Sequence, residues 1–372
     1  MFTVVNEAGP QGARTGILHT SHIDVRTPVF MPVATKASVK TMSAGDLLEL
    51  DVQNIIANAY LLHLRPGTEV IDKAGGLHGF MNWPRSSFTD SGGFQIVRDG
   101  FKPKVTEEGI MLKSPFDGRQ ELITPDFSSG MQEKIGADVA MFLDDCAPLN
   151  SNDARVEKAV VRTTRWAREF SESHKKPDQM KFAIAQGGTS RSYRQKSARE
   201  LNKIECDGYG IGGLCLGESK VEMHKATGYQ LDILHRDRPK YLMGVGTPVD
   251  IILAVEKGVD IFDSVYPTRN ARHRTMLTNK GSVNINSSGF KGRIEKIDEE
   301  CDCSTCKCYS RAYLHHLFGV KELLAMRLLT VHNLHFMMRL MKNIRASIDK
   351  GNFEKFKKEF IITYCDGSQP HR

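Results

Sequence analysis

No apolar run in this 372-residue sequence approaches the ~18 residues that a membrane-spanning helix needs, which excludes a helical membrane protein. The opening MFTVVNEAGPQG has no basic-then-apolar leader, so no secretory signal is expected and a cytoplasmic home follows by default. Internal repeats and low-complexity stretches are absent, and so is a strong charge of one sign. Against 44 acidic residues stand 51 basic ones, and the resulting +7 is a solvated surface unless the excess gathers at one site. No two histidines are spaced H-x-H, which disfavours a barrel metallohydrolase with histidine ligands. The composition, 40% apolar and 26% charged, is that of a globular protein with ample core, and it excludes a disordered chain, a collagen and a coiled coil.

Short β-branched and apolar runs alternate with amphipathic stretches. Strands are expected at Val29–Ala34, Gln53–Ala57, Ser87–Thr89, Asp138–Leu143, Lys181–Ala185, Gly208–Gly212, Tyr241–Val245 and Asp260–Asp263. Helices are expected at Ala44–Leu50, Asp126–Ile135, Asp153–Glu172, Arg191–Lys203, Lys220–Leu234 and Pro248–Lys257, several of them opened by cap signals such as Thr124-Pro125 and Thr247-Pro248. Eight strand–helix units favour an α/β fold of the closed (β/α)8 TIM-barrel type. The texture changes near Thr268, where a basic stretch leads into a β-like segment, a cysteine cluster and a helical end. The expected division is a barrel with an N-terminal extension over residues 1–285, then a zinc-binding subdomain and C-terminal helices over 286–372.

Polar or glycine groups sit at the ends of six strands: Asp90-Ser91-Gly92-Gly93, Asp144-Asp145-Cys146, Gln186-Gly187-Gly188, Gly212-Gly213-Leu214, Gly244-Val245-Gly246 and Asp263-Ser264. In a barrel all of these open on one face, where active sites lie. Asp90, Asp144 and Asp263 there could divide the labour of glycosyl transfer, one attacking an anomeric carbon and another moving the proton of the leaving group. They could instead hold magnesium. Asp145 reads as an ordinary turn or capping residue. Gln186, Gly213, Leu214, Phe94 and Met243 suit a planar polar base. Gly244–Pro248 opens a helix in a way that suits phosphate, and Arg269, Arg272, His273 and Arg274 flank it, so a nucleic-acid backbone fits better than one metabolite phosphate.

Cysteines 301, 303, 306 and 308 fall within eight residues, and a tight thiol group without a signal peptide reads as a metal site. Cys301, Cys303, Cys306 and His332 would make a closed structural zinc centre, with Cys308 and His335 as competing ligands.

FTDSGGFQ, FLDDC, AIAQGG, GYGIGGLCLGE, YLMGVGTP, DIFDSVYPTR and CDCSTC followed by TVHN, in this order and spacing, resemble the bacterial tRNA-guanine transglycosylases from about Gly16 to Phe336. The resemblance implies a (β/α)8 barrel with a late-inserted zinc subdomain and a structural zinc ion in each subunit. It also implies a reaction: exchange of guanine at the wobble position of tRNAs with a G-U-N anticodon for 7-aminomethyl-7-deazaguanine (preQ1), without an organic cofactor. It casts Asp263 as nucleophile and Asp90 as proton acceptor and donor. Asp144, Gln186, Gly213, Leu214, Phe94 and Met243 become base contacts, lined by Ser91, Gly92, Gly93 and Cys146, and Glu218 is tied to the aminomethyl group. Gly244, Val245, Gly246, Thr247, Pro248, Val249 and Asp250, with Thr268, Arg269, Asn270, Ala271 and Arg272, become the tRNA contacts. The zinc ligands become Cys301, Cys303, Cys306 and His332. A homodimer is implied as well. Leu214-Cys215-Leu216 departs from the Leu-Ala-Val of preQ1-using members, yet the bulk of Leu216 favours preQ1 over queuine. The chain ends before the added RNA-binding domains of archaeal relatives. A non-catalytic partner subunit and a glycosidase of free sugars are the other readings.

Overall fold

The computed structural model describes residues 1–8, 12–92 and 103–367. Its core is eight parallel strands: β1 (Val29–Pro32), β2 (Asn54–Asn58), β3 (Ser86–Asp90), β4 (Val139–Met141), β5 (Met180–Ala185), β6 (Gly208–Ile211), β7 (Lys240–Leu242) and β8 (Ile261–Ser264). They pair in the order β1-β8-β7-β6-β5-β4-β3-β2. The ring closes where Val33 bridges Ile56 in parallel and the Ala34 N–H donates to the Ile56 carbonyl at 2.7 Å. This is the expected closed barrel. Each of the eight strands overlaps its predicted segment.

Local chemistry starts the helices where the cap signals stand. The Thr124 hydroxyl accepts from the Phe127 N–H ahead of Pro125–Ile135, the Asn152 side chain caps Asp153–Ser173, and Thr247 caps Pro248–Glu256. Two antiparallel sheets escaped the pattern. Phe2–Glu7, Arg14–His19 and Asp24–Thr27 form one of them, and its Leu18 and Val25 pack on the barrel interior and close the foot. The other, Lys104–Val105, Ile110–Lys113 and Gln120–Ile123, is inserted after β3. Segments such as Asp24–Thr27 (DVRT) and Ile110–Lys113 (IMLK) show no apolar–polar alternation in sequence, although one face of each is the more buried in the packed structure.

Inside the barrel the period of two is kept. Phe88, Ile184, Tyr241 and Ile261 share the interior core. Two residues further along each strand come Asp90, Gln186, Met243 and Asp263, and the polar set therefore faces the mouth just above an apolar floor.

The helix Leu323–Asp349 joins two cores. Phe336, Met337, Leu340, Met341, Ile344 and Ile348 pack with Phe30, Leu242 and Phe262 of the barrel, while Ala325, Leu328 and Leu329 pack with Phe290, Ile297, Cys301 and Leu314. Each such buried side chain contributes roughly 1.5–3 kcal/mol. The half-exposed Arg327–Asp46 ion pair contributes about 0–1 kcal/mol, so apolar packing anchors this helix. The ribbon Thr275–Thr278 with Gly281–Asn284 precedes residue 286, yet its Met276, with the following Ile285, is buried in the second core.

Candidate active site and metal centre

Three aspartates meet neutral donors at the mouth. The Asp263 Oδ1 accepts from the Tyr241 hydroxyl at 2.5 Å and from the Gly244 N–H at 2.7 Å, which holds the carboxylate in one rotation. The Asp144 Oδ2 accepts from the Gln186 amide at 2.6 Å. Asp90 accepts from the Gly92 backbone. Gly92 has φ +85°, and a Cβ there would lie 2.5 Å from the Tyr60 Cβ, so this tight return needs glycine.

Burial pushes all three carboxyls up. Asp144 rises to about 7, with Asp145 adding to the rise and Gln186 opposing it. Asp90 rises well above the usual carboxylate range, through burial and then through the charges of Asp263 and Asp144. Asp263 also rises with burial, but its two donors stabilise the anion. Carboxyls this close cannot all ionise cheaply. The two donors favour the anion at Asp263, whereas burial and the neighbouring charges disfavour it at Asp90.

The base-facing wall is closely set. Gly213 has φ +65°, and a Cβ there would reach within 2.2 Å of the Gln186 Oε1. Leu214 and Ser91 are buried, while Met243 and Cys146 are half-buried. Burial and the nearby Asp144 push the Cys146 thiol up. The Glu218 carboxylate accepts from the Cys215 N–H at 2.6 Å and the Leu216 N–H at 2.9 Å. It clamps a turn in which Cys215 takes φ +61°. Gly93 and Phe94 lie outside the described residues.

At the rim, Gly244 and Arg269 are exposed, while Thr247, Val249, Asn270 and Arg272 are half-buried. Val245, Gly246, Pro248, Thr268 and Ala271 are buried, and Ala271 belongs to the second core. The Asp250 carboxylate is taken by Thr247, Lys220 and His224, which hold it at about 2 despite its burial, so it faces protein partners. Burial and the neighbouring Arg269 lower the Arg272 pKa, and two cations held side by side suit a polyanion.

Asp145 departs from the turn role expected of it. Its buried carboxylate meets the Arg155 guanidinium at 2.9 and 2.5 Å and Arg162 at 2.5 Å, and its N–H donates to the Thr163 hydroxyl. It anchors the loop that carries Asp144. Tyr241 was also missed, although it precedes Met243 by the strand period and therefore points inward.

In the second core, Cys301, Cys303, Cys306 and His332 are buried, with ligand atoms within 4.8 Å of one another. The His332 Nε2 pairs with the Leu277 carbonyl at 2.8 Å, leaving Nδ1 to face the Cys306 sulfur at 3.2 Å. Such a carbonyl partner fixes the tautomer of a metal ligand. Cys308 is exposed, and His335 stands beside Cys301 at 3.5 Å while pairing with Asp302. The Cys3His set could hold a metal ion and, with four protein ligands, would be closed. A second group, His22, His78 and Asp138 at the barrel foot, differs. Its imidazoles stack at 3.5 Å and 11°, and rings so close and parallel cannot both aim lone pairs at one ion.

Comparison with known proteins agrees with this geometry. The family model described as queuine tRNA-ribosyltransferase matches residues 10–366. Curated proteins named queuine tRNA-ribosyltransferase are similar over nearly their whole length. That of Fusobacterium nucleatum subsp. nucleatum is 46% identical over 355 residues, covering 95% of both chains. That of Caldanaerobacter subterraneus subsp. tengcongensis is 44% identical over 364 residues, 98% of this chain and 97% of the relative. That of Staphylococcus aureus is 43% identical over 354 residues, 95% and 93%. A chain whose barrel mouth gathers Asp90, Asp144 and Asp263, with a buried Cys3His group in its second core and so continuous a match, belongs to the queuine tRNA-ribosyltransferase family.

Proposed function

We propose that this tRNA-guanine transglycosylase replaces guanine in G-U-N anticodons by preQ1, through two displacements at one carbon. Asp263 attacks C1′ of the ribose as the bond to guanine breaks, and Asp90 gives its proton to the departing base. Asp90 then takes a proton from the incoming base, whose nitrogen displaces Asp263 from C1′. Two inversions retain configuration. Asp144 and Gln186 hold the polar edge of the base, with Ser91, Gly92, Gly93, Phe94, Cys146, Gly213, Leu214 and Met243 around it, and Glu218 serves the aminomethyl group. The target base must leave its stack to enter, and water must be kept from the glycosyl-enzyme. Gly244, Thr247, Arg269, Asn270 and Arg272 are the groups of the rim that meet tRNA phosphates. The observation that carries this reading is the contrast between Asp263, whose carboxylate accepts from two donors, and Asp90, whose carboxyl is pushed further up by burial and by the charges of Asp263 and Asp144.

Zinc on Cys301, Cys303, Cys306 and His332 would cross-link the second core and take no part in base exchange. The chain is then a barrel over residues 1–285 and a zinc subdomain with C-terminal helices over 286–372, which share the long helix. The protein works as a cytoplasmic homodimer. Among the described residues no helix is long and apolar enough to cross a membrane.

The test is incorporation of labelled guanine into unmodified G-U-N tRNA, chased separately with preQ1 and queuine. Chase by preQ1 alone supports the assignment, and chase by queuine overturns the substrate. A tRNA–protein band that resists denaturation and disappears in Asp263→Ala supports the covalent step. Folded protein that exchanges nothing would instead be a binding subunit.

A further inference from the structure

We propose that Arg194 is a positioning residue for this exchange, holding the backbone of the base-binding wall and lending it positive potential where the oxygen of the purine is read. Arg194 lies on the helix Arg191–Leu201 behind the mouth and is fully buried. Its guanidinium donates to the carbonyls of Gly188 at 2.6 Å, Gly212 at 2.8 Å and Gly213 at 3.1 Å, and to the Gln230 Oε1 at 3.0 Å. The Gln230 amide in turn donates to the Gln186 carbonyl at 3.0 Å. Every one of these acceptors is neutral, and the carboxylate that bears on the guanidinium is Glu218, which opposes the lowering by burial without a direct bond. Packing alone would be served by an apolar side chain, and burying a guanidinium is costly unless its donors are matched.

The geometry explains the choice. In a trans peptide the N–H points opposite to the carbonyl. With the Gly212 and Gly213 carbonyls turned down onto Arg194, the N–H groups of Gly213 and Leu214 turn the other way, on the wall that Gln186 shares. The two peptide dipoles then present their positive ends toward the base, backed by a buried cation. Guanine departing from C1′ gains negative charge that spreads to its ring oxygen, and preorganised dipoles aimed at such charge favour the transition state. Arg194 touches neither the base nor the ribose. It acts through the peptides that do.

This rests on the transglycosylase reading, and guanine exchange separates the two. Arg194→Met, Arg194→Lys, Gln230→Glu and Gln230→Met are compared with the wild type for kcat, for KM of guanine and of tRNA, and for thermal melting. In Arg194→Met the KM for guanine should rise about tenfold or more and kcat should fall, with the tRNA KM changed by less than about twofold. Arg194→Lys should recover part of kcat but not the guanine KM, because a point charge replaces the fork. Gln230→Glu sets a carboxylate against the guanidinium but also removes the N–H donated to the Gln186 carbonyl, so its kcat should drop, in a folded protein, by more than that of Gln230→Met, which loses the same N–H without adding charge. A folded Arg194→Met with wild-type guanine kinetics overturns the proposal, as does an equal loss for guanine and tRNA. If Arg194→Met fails to fold, a Gln230→Glu variant with kcat no lower than that of Gln230→Met overturns it instead. Wild-type protein that exchanges no guanine overturns the transglycosylase reading and this one with it.

Discussion

Strands β4 and β8 each carry an aspartate near both ends, and the two ends differ. At the foot, Asp260 takes the Arg14 guanidinium in two bonds of 2.8 and 2.6 Å and the Lys240 N–H at 2.7 Å. Asp138 holds His22 at 2.8 Å and His78 at 3.0 Å, and these bonds keep it below the usual carboxylate range although burial opposes them. At the mouth, Asp144 just past the end of β4 and Asp263 on β8 meet an amide, a phenol and a backbone N–H, and burial drives both pKa values up. At the foot the carboxylates have guanidinium and imidazole partners, which serve stability. At the mouth they have neutral donors only, an electrostatic cost that the proposed exchange puts to use.

The sharpest way to break this comparison is to remove one carboxylate from each end of β8. Asp263→Asn should lower guanine exchange by roughly 10⁴-fold while leaving the melting transition in place. Asp260→Asn should do the reverse. It strands Arg14 in the protein, costs about 3–5 kcal/mol in urea denaturation, and leaves kcat per folded molecule near wild type. Equal effects on activity would erase the distinction between the ends.

Metal removal probes a third region held by neither device. Chelation should destabilise the protein by about 3 kcal/mol, the linkage expected of a ligand well above its dissociation constant. It should expose residues 286–322 to protease while a folded barrel persists. Loss of exchange from a barrel that stays intact would show that the metal does more than brace.

The mildest test uses pH. The Asp144 carboxyl has its folded pKa raised from 3.8 to about 7, so the stability of its protonated form is present below pH 4 and is lost as pH rises through 7. Asp144→Asn should therefore stabilise the protein by about 1–2 kcal/mol at pH 8, with a gain that shrinks toward pH 5. Asp138 has the opposite sign. Its contribution is present above its unfolded pKa and is lost on acidification through the depressed folded value, so Asp138→Asn should destabilise at pH 8 and lose its effect in acid. Chemical denaturation of both variants across this range checks the two slopes.

Much of the barrel was legible because its signals are local. Thr124, Asn152 and Thr247 announce helices within their own turns, and short apolar runs mark the strands. The clustered thiols stand within eight residues, so spacing alone suggested a metal. Spacing did not choose between Cys308 and His332. That choice came from packing, which exposes Cys308 and seats His332 on the Leu277 carbonyl. The two antiparallel sheets were illegible because segments such as Asp24–Thr27 and Ile110–Lys113 lack apolar–polar alternation in sequence and gain a buried face only from partners in three dimensions. Asp145 and Arg194 gave no warning either, whereas Tyr241 carried the strand period of Met243. An arginine in a polar helical stretch is expected in water, yet Arg194 is buried by a turn from β6 that follows it in sequence.

By itself the sequence determined the eight strand–helix units, the residues that end each strand and the grouping of the thiols. Each of these depends on backbone preference and side-chain character over a few neighbouring positions. Only the tertiary structure decided which aspartates are matched and which are not. Whether a carboxyl ionises depends on the dielectric and the charges facing it through space, and at Asp90 those charges come from Asp263 on β8 and Asp144 on the loop after β4.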